Sequence, residues 1–493
     1  MTTAQTHPET ARTDPLADPP TGLPSARPPL WDRRFALFFT ARTISLFGDA
    51  MMPVAAALAV GALYGISGVG FVLGTWTGTF VVLVLFGGVF ADRFGARRMM
   101  VIADLVRVLT QGVLAVAFFA GPPPFWLLVT MAALAGAGVA MFLPGANGMV
   151  PLVASEPQRA NATLKVADAL AHLLGPAFAG LLIALTNAGT VYAIDAGTFA
   201  LSALCLALIR LSPAGTPKGL RADPLQNGPT DSLTHSHSHS HSHADAATDA
   251  HSHTATDTHA NSRTDTSASA PAGHALRRDL RQGWQEFRAR TWMWAVILIW
   301  VGYGVLVFGP LVPLSSALVG TRLGPNAYGL AISFLGLGAV LGGLLALRLR
   351  PARPLAAGTA AMALYTVLPL CVALGADLPL LLAGHVLGGA TMAFWSVMWA
   401  TSVQTHTPPA VLNRVSAYEL AGSVSGIALG QMLAGPAIAL ASPDRLLLVS
   451  AGACLAGCVA LFAIPAIRTL PRAAPTGGAG RGAPSGPQGA ELN

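Results

Sequence analysis

Arg42 and Asp49 stand seven residues apart in RRFALFFTARTISLFGDAMMPVAAALAV, a run in which almost every other side chain is apolar or small. Seven residues are close to two helical turns, so the two charges share a face. A carboxylate in such surroundings takes up a proton, binds a cation, or pairs with a base elsewhere in the chain. Asp104 and Arg107 form a second constellation in VIADLVRVLT. Their i,i+3 spacing suits a local ion pair. Arg42, Asp49, Asp104 and Arg107 are thus the candidates for moving a proton. The run THSHSHSHSHADAATDAHSH offers different chemistry, with imidazoles at His235, His237, His239, His241, His243, His251 and His253. Neutral imidazoles ligate Zn, Ni and Cu. Alternation with Ser on a low-complexity chain gives either loose metal collection or a plain linker. The four cysteines lie inside apolar runs and form no CxxC pair, so they behave as small hydrophobes. No GxSxG, HExxH or P-loop pattern occurs, which points away from an enzyme and from any bound cofactor.

The elements that carry these residues follow from composition. The chain has 493 residues, of which 53% are hydrophobic and only 10% charged. A water-soluble chain carries about 25% charged residues. Apolar runs of about 18 residues or more predict membrane-crossing helices. Twelve such runs occur, at 35–62, 66–90, 98–120, 124–149, 164–186, 189–211, 292–316, 325–347, 354–375, 378–403, 413–440 and 445–467. We refer to them as spans 1 to 12. The expected fold class is an all-α membrane protein with two six-helix bundles.

Arginine alternates with span parity. Arg93, Arg97, Arg98 and Arg159 follow spans 2 and 4, and Arg348, Arg350, Arg353 and Arg414 follow spans 8 and 10. The loops after spans 1, 3 and 5 carry no charge. Basic loops stay on the cytoplasmic side. Both termini and the central linker are therefore expected in the cytoplasm, and the protein in the plasma membrane. The net charge of +7 belongs to these loops and implies no nucleic-acid partner. The expected segments are a disordered tail over 1–34, bundles over 35–211 and 292–467, a disordered His-rich linker over 212–275, an amphipathic surface helix over 276–291, and a disordered tail over 468–493.

The halves also repeat. GGVFADRFGARR at 87–98 aligns with GGLLALRLRPAR at 342–353, so that Ala91, Arg93 and Arg98 meet Ala346, Arg348 and Arg353. GAGVAMF at 136–142 aligns with GGATMAF at 388–394. Internal repeats are a building plan of transporters. The stretch Gly88-x-x-Ala91-Asp92-Arg93-x-Gly95-x-Arg97-Arg98 resembles the signature between spans 2 and 3 of the major facilitator superfamily. SLFGDAMMPVAAALAV, YAIDAGTFALSAL, DLRQGWQEF and RLRPARPL resemble the branch that holds macrolide and siderophore exporters.

The resemblance implies two bundles related by a pseudo-two-fold axis that rock around a central site. It implies a conformational latch made of Gly88, Asp92, Arg93, Gly95, Arg97 and Arg98, with Asp92 docking at the start of span 11 near Arg414 and Glu419. LLGPAFAG resembles the antiporter motif of the family through Gly175, Pro176 and Gly180, with Ala179 replacing a glycine. Spans 1, 4, 7 and 10 line the central cavity in this family, so Phe142, Trp300, Tyr303, Trp395 and Trp399 become candidate wall residues. Span 4 carries no charge, whereas many exporters of the family place a proton-coupling Arg there. Asp195, near the outer end of span 6, is expected to be a packing or capping residue. The expected function is proton-coupled efflux of a small lipophilic compound by a monomer whose partners are the bilayer, the substrate and protons. A divalent-metal exporter using the His run, and a non-transporting receptor or sensor, are the alternatives.

The charge pattern predicts a labelling result. Asn187→Cys, between spans 5 and 6, should react with a membrane-impermeant thiol reagent on intact cells. Pro351→Cys, after span 8, should react only after permeabilisation. The reverse pattern would invert the orientation.

Overall fold

Long apolar runs leave the backbone no polar partner but itself, so each folds as a helix. In the computed structural model the described residues are 31–154, 156–209, 288, 291–349, 351–407 and 409–471, with backbone alone for 85–94, 147, 157–158, 291 and 409–418. All regular structure among them is helical. The first helix, Arg33–Phe94, is two spans joined end to end, broken at Gly65. Gly65 has φ 61° and ψ −163°, a conformation that a side chain would strain. Spans 3 to 6 are Ala96–Ala120, Phe125–Val153, Pro157–Leu185 and Ala188–Leu208. Span 7 runs from Thr291 to Leu323, with a π-helical turn at Gly304–Phe308. Spans 8, 10, 11 and 12 are Pro325–Arg348, Leu378–His406, Pro409–Ala437 and Pro443–Ala463.

Span 9 is interrupted by a 3-10 turn at Leu364–Thr366 between Pro354–Ala363 and Val367–Ala373. Pro369 has no N–H to offer the Tyr365 carbonyl, which accounts for the tightened turn just before it. Helix starts are marked by Pro at Pro157, Pro325, Pro354 and Pro443, where the missing N–H costs nothing. Asn187 caps span 6 by accepting a bond from the Thr190 amide.

Ten helices among the described residues are long and apolar enough to cross a membrane. The first of them holds two spans, and Pro409–Ala437 completes the twelve expected from the sequence. Leu109, Val116, Leu185, Leu347 and Val459 point outward from their helices, as lipid-facing side chains do. Residues 1–30, the His run, the segment 276–287 and the tail from 472 lie outside the described residues.

The two halves meet through small residues. Gly180 of span 5 faces Gly329 of span 8, and a methyl group on Gly180 would lie 3.0 Å from the Gly329 Cα. Beside this contact the Ser333 hydroxyl accepts a 2.8 Å bond from the Ala177 amide. On the other side of the unit, Gly70 and Gly74 of span 2 lie against Gln431, Ala428 and Met432 of span 11. There the Thr77 hydroxyl donates to Gln431 Oε1 at 2.9 Å. Spans 5 and 8 and spans 2 and 11 are thus two related seams, both at the end of the bundle opposite the arginine-rich loops.

Seams built on backbone approach tolerate no extra volume. Gly329→Val should destabilise this packed arrangement by about 1–3 kcal/mol, the usual range for over-packing. A cysteine at Ser333, inert in the parent, should then react faster with a water-soluble thiol reagent. Unchanged reactivity would show that the seam opens without resistance at Gly329.

Candidate functional site

Ionisable groups inside a membrane bundle are costly and mark function by default. Spans 1, 3 and 6 bring four of them together. Arg107, 1% exposed, lies at the centre. Its Nη1 donates to Asp49 Oδ2 at 2.8 Å, and its Nη2 donates to Asp104 Oδ1 at 2.7 Å. Asp104 is fully buried, and its other oxygen accepts from the Ser202 hydroxyl at 2.6 Å. The guanidinium is also sandwiched, 4.4 Å from the Phe142 ring centroid and 4.3 Å from that of Phe199. A desolvated cation over an aromatic face gains about 2 kcal/mol. The local i,i+3 pair foreseen in span 3 is therefore present, and it is extended to Asp49 across 58 residues of sequence.

Asp49 is the most accessible of the three ion-pair partners, with its side chain 33% exposed. Arg42 lies 5.5 Å from the Phe142 centroid. Phe142, expected in the cavity wall, is buried and packed between cations.

Span 6 supplies one stripe to this cluster. Asp195, Thr198, Phe199 and Ser202 follow the i, i+3, i+4, i+7 spacing of a single helix face. Asp195 is fully buried two turns inside the helix, while the cap at its start is Asn187. The capping role expected for Asp195 is therefore corrected. Its carboxyl rests on Gly48, where any Cβ would collide with it. Thr198, Phe199 and Ser202 are contributors that the sequence reading missed. The stripe of polar and aromatic residues in YAIDAGTFALSAL was the available signal.

The second half holds an aromatic column instead. Trp395 and Trp399 stack at 6.1 Å, Trp300 stacks on Trp395 at 5.7 Å, and Phe308 stacks on Trp300 at 5.3 Å. Tyr303 meets Trp300 edge-on at 5.7 Å and donates to the Cys454 carbonyl at 2.8 Å. The π-helical turn that follows Tyr303 presents Gly304 and Gly309 to Gly426 and Gly430 of span 11. The four candidate wall residues Trp300, Tyr303, Trp395 and Trp399 are thus brought together and buried against one another. Glu419 closes the column, its Oε1 accepting a 3.0 Å bond from the Trp399 indole.

The remaining sequence candidates are spread along the seams and loops. Gly175 packs against Ala50 of span 1, and the carbonyl of Pro176 and the Cα of Gly180 face Gly329. The motif in span 5 therefore lies in the junction between halves. Gly95 has φ 81°, the tight turn expected of it. Arg97 donates to the Ile209 carbonyl at the end of span 6, and Arg98 is exposed. The side chains of Asp92, Arg93 and Arg414, with Gly88, lie outside the described residues, as do the seven histidines. Among the described residues no group of three or more His, Cys, Asp or Glu is placed to hold a metal ion.

Similarity to known proteins accords with this arrangement. The family model of the Major Facilitator Superfamily matches residues 38–418. Macrolide efflux protein A of Streptococcus pyogenes is 23% identical over 190 residues, 38% of this chain and 46% of that protein. The multidrug efflux pump Tap of Mycobacterium tuberculosis is 34% identical over 140 residues, 27% of this chain and 33% of that protein. The alignments therefore span less than half of these relatives. Among solved structures, the nucleoside transporter NupG superimposes with a TM-score of 0.60 at 12% identity, covering 89% of this chain and 100% of that one. A bacterial homologue of the human lysosomal transporter Spinster, in an inward-facing and unoccupied conformation, gives 0.57 at 14% identity over 90% and 97%. With a family match across most of its length and that family's two-bundle fold, the chain belongs to the major facilitator superfamily.

Proposed function

We propose that this transporter exports a small lipophilic organic compound in exchange for protons, by rocking of its two bundles. The observation that carries the reading is Asp49. It is a third exposed, yet its carboxylate is held by a guanidinium with no access to water. Such a group can be reached by a proton from solution, and its protonation releases Arg107 from one partner. Breaking half of a buried charged pair alters the packing of spans 1 and 3 by several kcal/mol, enough to bias a two-state equilibrium. Arg42, Asp104 and Arg107 complete the coupling group.

The substrate class follows from the other half. Trp300, Tyr303, Trp395 and Trp399 are packed on one another here; once uncovered by rocking of the bundles, their faces would suit a bulky, lipophilic or aromatic compound, and a cationic one through ring faces. Glu419 adds a carboxylate at the end of that column. The names of the similar efflux proteins support the outward direction. Asp92 and the arginines that follow it are assigned to a latch at the cytoplasmic end, which the close seams at the opposite end complement in the alternate state. The protein works as a monomer in the plasma membrane, with both termini inside.

Inside-out vesicles with an acidified lumen and a pH-sensitive dye test this. Lipophilic cations and macrolides should discharge the proton gradient. Asp49→Asn should weaken that response roughly 5- to 150-fold, the usual size of coupling between two ligands. Deletion of residues 231–274 should leave it intact. A response to Zn(II) alone, weakened by the deletion, would instead identify a metal exporter. Uptake of an organic compound with no proton movement would rule out coupling to protons.

A further inference from the structure

Asp195 has no part in the ion pairs described above. It is 0% exposed, and among the described residues its Oδ2 has no hydrogen-bond partner. Its Oδ1 lies 3.3 Å from the Thr198 hydroxyl, which bonds more closely to the Asp195 carbonyl at 2.7 Å. The carboxyl presses on the bare backbone of Gly48, next to Asp49. Span 1 thus gives it a cradle that any residue larger than glycine would fill.

The charges around it can be counted element by element. Span 1 contributes Asp49 and Arg42, and span 3 contributes Asp104 and Arg107. Span 5 carries Lys165, Asp168 and His172, with side chains 84%, 33% and 61% exposed. Within span 6 itself, Tyr192 is the other titratable group on this part of the helix. Arg107 is thus the fully buried cation, and both of its ion pairs go to Asp49 and Asp104. With the partly exposed Asp49 and Arg42 included, the cluster has three carboxylates and two guanidiniums, so one carboxylate is in excess. In a medium of low dielectric, a further unpaired negative charge is not sustained; the group neutralises. A neutral carboxyl needs no ion-pair partner, and among the described residues Asp195 has none.

We propose that Asp195 is a proton-binding residue of the coupling site, carrying the proton in this conformation while Asp49 stays ionised on Arg107. The proposal rests on the proton-coupled reading above and adds a second carboxyl to it. Asp195 lies against Gly48, the residue before Asp49, so the two carboxyls repel one another when both are charged. Loss of a proton from one therefore favours its capture by the other.

The test uses the full chain, reconstituted, with Asp195→Asn as the isosteric neutral form. Infrared difference spectra between acidic and alkaline buffer, without substrate, should show a protonated carboxyl band in the parent that Asp195→Asn lacks. Because asparagine matches the neutral acid, the variant should keep the parent's melting temperature and its substrate counterflow. It should lose at least about tenfold in accumulation driven by a proton gradient. A strongly destabilised Asp195→Asn would mean a charged, structural aspartate and would overturn the proposal. So would a stable variant that keeps both the band and proton-driven accumulation. The band titrates whether or not transport is coupled, so its presence in a parent with no gradient response would sink the proposed antiport alone.

Discussion

The structure depends on keeping one guanidinium, that of Arg107, ionised where there is no water. A charge in such a place is tolerated only when its hydrogen bonds and its electrostatic partners are supplied by the protein. Span 1 supplies Asp49, span 3 Asp104, span 4 the ring of Phe142, and span 6 the ring of Phe199 and, through Ser202, the fixed position of Asp104. Four helices are thus tied to a single side chain. Removing one carboxylate from such a group costs about 3–5 kcal/mol, comparable to much of the net stability of a domain. The first bundle is therefore held together at its centre by a charged cluster.

Two seams join this bundle to the second half. Between spans 5 and 8, and between spans 2 and 11, contact is made by glycine backbone with few side chains interposed. No hydrophobic driving force holds helices together in lipid, so such seams rely on close packing and on a few bonds like those of Ser333 and Gln431. Both kinds of contact end abruptly with distance. In the proposed rocking motion a small rotation would release them all, which favours two discrete arrangements.

Much of this was legible in the sequence. Run lengths and the placement of arginine located the spans, because burial of backbone in lipid permits little else. The i,i+3 pair of Asp104 and Arg107 was legible because a helix fixes that geometry locally. The link from Arg107 to Asp49 was not, since a sequence separation of 58 carries no signal of which helix faces lie together. Asp195 was placed at a helix end for its depth, but its role depends on Gly48, a residue whose importance lies in having no side chain. Gly65, whose positive φ breaks the first long helix, falls in the gap between the first two expected spans. The aromatic residues of spans 7 and 10 were identified by type, yet whether they faced lipid or one another depended on the packing of spans 7, 10 and 11.

Two bundles of common plan have thus been filled with opposite chemistry. The first holds its charges around Arg107; the second holds stacked rings of Trp300, Trp395 and Trp399 with Glu419 at one end. This division has a mechanical consequence. If a proton and a lipophilic compound engage different bundles, neither needs to displace the other directly. Each acts by favouring one of the two arrangements of the shared seams, and the coupling between them equals the difference in their preferences for those arrangements. Span 1 is where the two meet. Asp49 and Gly48 belong to the charged cluster, Ala50 packs on Gly175 of the span that forms one seam, and Leu58 lies against Gly320 of span 7. A change in the charge on Asp49 is therefore a change in the helix that touches the cluster, the seam-forming span and the opposite bundle at once.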